Sequence, residues 1–166
     1  MLGLGEDRLS IYLNDHLAGA TAGASLARRA ANSNKGTDYG SVLEAIATEI
    51  EEDRAALVDL MQRLSVGHDR LKTALAWGAE RAGRLKLNGQ LRGYSPLSRL
   101  EEIEALSLGV EGKLALWRAL LGTHGSDPRV ADVGLDELID RARSQRRRLE
   151  RLRVRAADEA LGQRPG

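Results

Sequence analysis

The sequence contains no cysteine and no phenylalanine, and its other aromatic residues are few: two tryptophans and three tyrosines in 166 positions. Without cysteine, the chain has no disulfide, no zinc site built on thiolates and no cysteine nucleophile. The aromatic and β-branched residues that favour strands are scarce, whereas alanine and leucine are abundant, so the composition predicts an all-α protein. A chain of this length forms one domain with a sizeable core.

Long apolar runs are also missing. No stretch approaches the roughly 20 apolar residues that span a bilayer, and residues 1–7 lack the basic stretch and apolar run of a signal peptide. We therefore expect a cytoplasmic protein without a membrane segment. The sequence has no glycine-rich nucleotide loop after a strand and no Ser-His-Asp nucleophile elbow. It therefore supports no enzyme class, and no catalytic residue is predicted.

Apolar residues that recur in steps of three and four predict four long helices and a shorter one. Ser41 followed by Glu44 is typical of a capping box, and Ser95 before Pro96 is typical of a helix start. The predicted elements are helices at 7–31, 41–65, 69–86, 96–121 and 134–161, followed by a frayed tail at 162–166. Together they form a single domain over residues 1–166.

One polar residue interrupts the apolar repeat of each long helix near its middle. These residues are His16, Asp53, Ser107 and Gln145. If the helices pack into one bundle, the four side chains meet at one level of its core, where a metal, a cofactor or a hydrogen-bonded network would lie. In the hydrogen-bonded interpretation, His16 pairs with Asp53, and the layer fixes the register of the helices.

The order of the helices carries a resemblance to a known superfamily. Two helices, a long crossover at 66–96 and two further helices allow the second and third long helices to run parallel. With the polar core layer, this order resembles the ferritin-like superfamily, which implies a four-helix bundle whose long crossover carries a short extra helix. Residues 12–19 and 85–89 also resemble a bacterial family of short helical proteins, but this resemblance does not point to any particular activity.

The ferritin-like resemblance implies where a di-metal site would lie. Such proteins take one Glu from each of two helices and a Glu-x-x-His from each of the other two. The ligands that this chain offers are His16, Glu49, Glu52, Asp53, Glu104 and Glu111. The set is incomplete, because Gln145 and Arg148 stand where the last helix needs Glu and His. No cofactor is therefore predicted, and iron or manganese belongs to an alternative function, a divergent metal-binding oxidoreductase.

Gly19 and Gly23 lie four residues apart inside the first predicted helix. Because a glycine inside a helix costs up to about 1 kcal/mol relative to alanine, the pair indicates a packing requirement. The favoured interpretation is close packing within the chain, for example against the crossover helix with its Gly78. The alternatives are the contact face of a homodimer and a slot for a flat ligand.

Charge is divided unevenly between two helices, with acidic residues over 44–53 and arginines over 141–155. If these helices are neighbours, exposed ion pairs form between them, each worth under about 1 kcal/mol. Alternatively, a stripe of arginines binds an anionic ligand or an acidic protein partner; it comprises Arg141, Arg148, Arg151 and Arg155. Residues 105–110 loosely resemble a helix-turn-helix, but the surrounding glutamates disfavour nucleic acid.

These features predict a non-catalytic binding or scaffolding module in which a polar core layer replaces a di-metal site. The metal-binding oxidoreductase is the alternative. A DNA-associated protein that uses the arginine-rich last helix is the third function considered.

Overall fold

A computed structural model describes residues 3–66 and 93–162, with the side chains of 3–7 left undescribed. The described residues form five helices and no strand, which confirms the all-helical prediction. The helices are α1 (Gly3–Ser33), α2 (Gly40–Arg63), α3 (Pro96–His124), α4 (Pro128–Ala131) and α5 (Leu135–Leu161). No helix in this part of the chain is both long and apolar enough to cross a bilayer.

The four long predicted helices correspond to α1, α2, α3 and α5, with shifted ends. α1 starts four residues before the predicted 7, and α3 continues three residues beyond the predicted 121. The crossover helix predicted at 69–86 lies outside the described residues, as do positions 163–166 of the predicted tail. The short α4 was not predicted, although its start has a clear signal: Asp127 accepts a hydrogen bond from the Arg129 backbone N–H, just before Pro128.

The two predicted helix starts have different outcomes. Ser95 is the N-cap of α3, since its hydroxyl accepts a hydrogen bond from Ser98 N at 3.1 Å, directly before Pro96. The capping box at Ser41 is wrong, because α2 already begins at Gly40 and follows Tyr39, which provides no side-chain cap. The short α1–α2 connection is held instead by turn hydrogen bonds, and these let the helix start one residue earlier.

Ion pairs show the directions in which the helices run. Arg29, late in α1, lies 2.8 Å from Glu102, early in α3, so these two helices are antiparallel. A connection of six residues, 34–39, also makes α1 antiparallel to α2. It follows that α2 and α3 run parallel to each other, as the long crossover predicts.

The last helix closes the arrangement by facing both α3 and α2. Arg146 of α5 pairs with Glu111 of α3 at 3.2 Å, while Arg141 pairs with Glu52 of α2 at 2.8 Å. Further along α5, Arg153 lies 3.8 Å from Glu104 of α3 and Arg148 pairs with Glu49 of α2, so the partners move backward as α5 moves forward. α5 is therefore antiparallel to both helices. The prediction that the acidic helix and the arginine-rich helix are neighbours is confirmed, since ion pairs between long side chains join α2 and α5.

The core consists of two apolar clusters, one toward each end of the long helices. The first cluster includes Leu57 and Leu114, and the second includes Ile50, Val110 and Leu149. On α2 the change from one cluster to the other occurs between residues 50 and 57, and on α3 between 110 and 114. A level in the middle of the molecule thus separates two apolar halves.

The two glycines of α1 have no close neighbour in the described part of the molecule. A Cβ added at Gly19 or Gly23 meets no described atom within 4 Å, whereas one at Gly40 would lie 2.5 Å from the Asn34 carbonyl oxygen. The described residues of α2 and α3 therefore do not pack closely against these two glycines. Packing against the segment that contains Gly78 lies outside the described residues, and the homodimer stays a prediction.

We predict that Gly19→Ala raises the free energy of unfolding by up to about 1 kcal/mol, because alanine favours the helix and its Cβ meets no described atom within 4 Å. The matched change Gly40→Ala should lower it by about 1–3 kcal/mol, since its Cβ collides with backbone. Urea denaturation measures both values. A destabilised Gly19→Ala protein would show that a packed neighbour occupies this position.

Candidate functional site

Asp53 of α2 forms the centre of a buried polar layer between the two apolar clusters. It is 2 % exposed, and its carboxylate accepts hydrogen bonds from Lys113 of α3 and from Gln145 of α5, the latter at 3.1 Å. Gln145 is fully buried, and its Oε1 accepts a hydrogen bond of 2.5 Å from the same lysine. One residue from each of three helices therefore meets in a closed triangle.

Two arginines of α5 extend this triangle toward the surface of α2. Arg141 Nε lies 2.8 Å from Asp53 Oδ1; the two atoms form an ion pair but are not aligned for a hydrogen bond. Arg148 donates to Glu49, which also accepts a hydrogen bond of 3.1 Å from Gln145 Nε2. The acids of α2 are thus matched by cations within the chain.

Lys113 is the residue that the sequence interpretation missed. Burial lowers the pKa of its ammonium group below the usual value, and the neighbouring Asp53 carboxylate offsets part of that shift. Lysine is seldom expected in a core, because its stem is long and its charge strongly hydrated. One sequence signal existed: Lys113 stands between Val110 and Leu114, both buried members of the α3 repeat.

The predicted four-residue layer is only partly formed. Asp53 and Gln145 meet, but Ser107 donates its hydroxyl hydrogen bond of 2.8 Å to the Ile103 carbonyl of its own helix. Leu106 takes the neighbouring buried position, so Ser107 faces away from the core. It lines a groove on the outer side of α3 and α5, the outer groove, whose lining is Glu104, Ser107, Leu108, Glu111, Arg146, Arg147, Glu150, Arg151 and Arg153. The expected inclusion of Ser107 in the layer is therefore wrong.

His16 also lies apart from the Asp53 carboxylate. Its ring contacts the edge of Tyr12, with ring centroids 4.6 Å apart. Burial lowers the pKa of His16, and Asp15 counteracts this only in part. No hydrogen bond or ion pair joins His16 to Asp53, although both residues line the same cavity. The expected charge-assisted pair between them is replaced by the pair of Asp53 with Lys113.

The candidate ligands of the alternative di-metal site do not lie on one face of the molecule. Glu104 and Glu111 line the outer groove beside α5, while Asp53 lies in the core. Glu49 and Glu52 form ion pairs with Arg148 and Arg141. Among the described residues, no three His, Asp or Glu side chains come together as a metal site. The ligand set inferred from the ferritin-like pattern is therefore not assembled.

A cavity of about 280 Å³ lies beside the polar layer, between α1, α2 and α3. Its wall includes the apolar side chains of Leu57, Val110 and Trp117, together with Asp53 and Lys113 from the layer. From α1, Ala20 and the glycines on either side of it line the cavity, and Asp15 and His16 line it one turn earlier. The cavity is therefore mainly apolar, with buried charge along one side.

Four glycines line this cavity, two from each of the antiparallel helices α1 and α3. They are Gly19, Gly23, Gly109 and Gly112. At none of them would a Cβ meet a described atom within 4 Å, so the space reaches the backbone of both helices. α3 runs without interruption from 96 to 124, which contradicts a helix-turn-helix centred on Gly109.

The predicted arginine stripe is mostly used inside the molecule. Arg141 and Arg148 pair with acids of α2. Arg155 pairs with Asp38 at 3.1 Å, and its guanidinium lies 4.7 Å from the centre of the Tyr39 ring. Of the four residues in the stripe, only Arg151 has no ion pair in the part of the chain that the structure describes, and it faces the outer groove. The stripe is therefore not a continuous free surface.

Comparisons of the chain with protein-family models, curated proteins and solved structures found no match. Any functional conclusion must therefore come from the geometry of the cavity, the buried layer and the outer groove.

We predict that Asp53→Leu lowers the free energy of unfolding by about 3–5 kcal/mol, because Lys113 and Arg141 lose their buried counter-charge. Adding Lys113→Met should recover part of this loss, since one of the two stranded cations disappears. Glu52→Leu is the control, because it removes an exposed partner of Arg141 and should cost under about 1 kcal/mol. Equal losses for Asp53→Leu and Glu52→Leu would contradict the central role of Asp53.

His16 should make the protein less stable in mild acid. Its pKa is lowered from 6.5 in the folded state, so just below pH 6.5 the unfolded chain binds more protons than the folded chain. The free energy of unfolding therefore falls as the pH drops through this window. His16→Gln should flatten that part of the profile in urea denaturation, and an unchanged slope would show that His16 is not responsible.

Proposed function

We propose that this protein is a non-catalytic binding module of ferritin-like architecture that holds a small, flat apolar molecule between α1, α2 and α3. The observation that carries the proposal is the cavity of about 280 Å³ with its four open glycine positions. A dry cavity of about 150 Å³ accommodates benzene, so a molecule with two fused rings suits this larger space. Its apolar wall supplies the driving force for binding.

The helix order supports the ferritin-like part of the proposal. α1 and α2 form one antiparallel pair and α3 and α5 form another, while α2 and α3 are parallel and separated by residues 64–95 of the sequence. One long connection between two antiparallel pairs is the order typical of ferritin-like bundles.

The buried charges support a structural rather than a catalytic layer. Lys113 and Arg141 form ion pairs with Asp53, and Arg148 forms one with Glu49, at the level where a ferritin-like protein would use carboxylates to bind metal. A divalent cation would have to displace these cations or lie beside them, at a large electrostatic cost. The layer thus replaces a di-metal centre with ion pairs and forms one wall of the cavity.

The apolar character of the cavity determines the class of ligand. Asp53 Oδ2 and both polar groups of the Gln145 amide already form hydrogen bonds within the layer, and Asp53 Oδ1 lies against the Arg141 guanidinium, so they leave little capacity to bind a strongly polar molecule. The glycines let a flat ligand approach two helix backbones at once, which a larger side chain would prevent. We therefore favour a planar hydrocarbon-like ligand over a sugar, a nucleotide or a free phosphate.

Naphthalene is a suitable probe of this cavity, and isothermal titration calorimetry measures its binding. We predict that the wild-type protein binds it and that Gly112→Leu weakens binding by at least about tenfold, because the leucine occupies the ligand space. Gly122→Leu is the matched control: Gly122 is an exposed position of the same helix, a Cβ there meets no described atom within 4 Å, and it lies outside the cavity.

Two results would contradict the proposal. One is a wild-type protein that binds no naphthalene, and the other is equal loss of binding in both leucine variants. The unfolding transition of Gly112→Leu must be measured in parallel. If this variant is folded but several kcal/mol less stable, the glycines serve packing rather than ligand binding.

A further inference from the structure

An open groove lies on the outer side of the molecule between α3 and α5, separate from the cavity beside the polar layer. Glu104 and Glu111 of α3 face arginines of α5 across it, and Leu108 lies between them on α3. Leu108 is 75 % exposed, more than any other large apolar side chain among the described residues. An apolar side chain surrounded by charges is typical of a contact point for another protein.

The acidic residues of this groove already have partners within the chain. Glu111 pairs with Arg146 at 3.2 Å, and Arg153 pairs with Glu150 at 2.8 Å and with Glu104 at 3.8 Å. Each of the three glutamates therefore has an arginine partner, although two arginines leave one negative charge uncompensated. The two further arginines of the groove outweigh that remaining charge, so its lining carries four arginines against three glutamates.

Two further cations are present, one helical turn apart. Arg147 and Arg151 line the groove, and neither forms an ion pair within the described ranges 3–66 and 93–162. Residues four apart on a helix present their side chains on one face, about 6 Å from each other. The pair therefore matches two carboxylates that are themselves four residues apart on a second helix.

We propose that this groove docks an acidic amphipathic helix of a protein partner. Two glutamates or aspartates one turn apart would pair with Arg147 and Arg151, and an apolar side chain between them would cover Leu108. The recognition combines charge complementarity at the rim with burial of one apolar anchor. It is independent of the ligand proposed for the cavity, because the two sites share no lining residue.

Nucleic acid fits this groove less well than an acidic helix. Binding a duplex draws on several phosphate contacts along the backbone, whereas the groove offers two arginines that lack a partner among the described residues, and three glutamates line the same surface. A phosphate backbone also has no apolar group to cover Leu108. The spaced carboxylates of a helix can avoid the glutamates and still reach both arginines.

Fluorescence anisotropy with a labelled synthetic peptide tests the proposal on the full chain. The peptide is a helix of about five turns whose one face carries glutamate pairs four residues apart with leucine between them; a matched peptide carries glutamine instead. We expect the acidic peptide to bind at low salt. The double change Arg147→Glu, Arg151→Glu should weaken binding by at least about tenfold, and Leu108→Ser should weaken it by about threefold or more.

The control reverses the same amount of charge elsewhere on the surface. The double change Arg63→Glu, Arg143→Glu alters arginines whose partners are on their own helices, and it should change affinity by less than about twofold. Equal weakening in both double variants would overturn the proposal, and so would equal binding of the glutamine peptide. A duplex DNA that binds more tightly than the peptide, with the same dependence on Arg147 and Arg151, would assign the groove to nucleic acid instead. A dimer that the groove variant dissociates would assign it to contact between two copies.

Discussion

The carboxylate of Asp53 imposes the strongest constraint on this structure. A charge at 2 % exposure is costly unless cations and hydrogen-bond donors surround it. The groups that satisfy it come from two other helices, Lys113 on α3 and Gln145 and Arg141 on α5. A shift of any of these helices by one turn would separate the charges. The layer therefore fixes the relative register of α2, α3 and α5, whereas apolar contacts alone tolerate sliding.

The same constraint explains why the cavity lies on the α1 side. α1 is the one long helix that supplies no charged or hydrogen-bonding partner to Asp53 in the described structure. Next to the layer it carries Ala20 with Gly19 and Gly23, and α3 carries Gly109 and Gly112 opposite them. A large side chain at these positions would fill the space beside the buried ions. The small residues instead leave room there, and we propose that a ligand uses it.

The apolar repeat predicted which residues of α2 and α5 are buried, but it did not predict which partners the polar core residues find. On these helices every residue of the predicted apolar repeat that lies within the helix is buried, including Asp53 and Gln145. On α3 the repeat is ambiguous, because Leu106 precedes Ser107 and Leu120 precedes Leu121, and the structure buries the first of each pair. Periodicity cannot choose between adjacent candidates, since that choice depends on packing against the other helices. Periodicity also cannot identify Lys113, because a lysine lies in the core only where a buried carboxylate pairs with it, and that pairing depends on another helix.

The arginines of α5 show how one helix serves the interior and the surface. Arg141, Gln145 and Arg148 are separated by four and three residues, so they share the face that meets α2. Arg147 and Arg151 belong to a different face, which points to the outer groove beside α3. The acids of α2 neutralise the first set, but no described acid neutralises the second. This helix thus carries two sets of arginines: Arg141 and Arg148 join it to the acids of α2, and Arg147 and Arg151 face the outer groove without an acidic partner among the described residues.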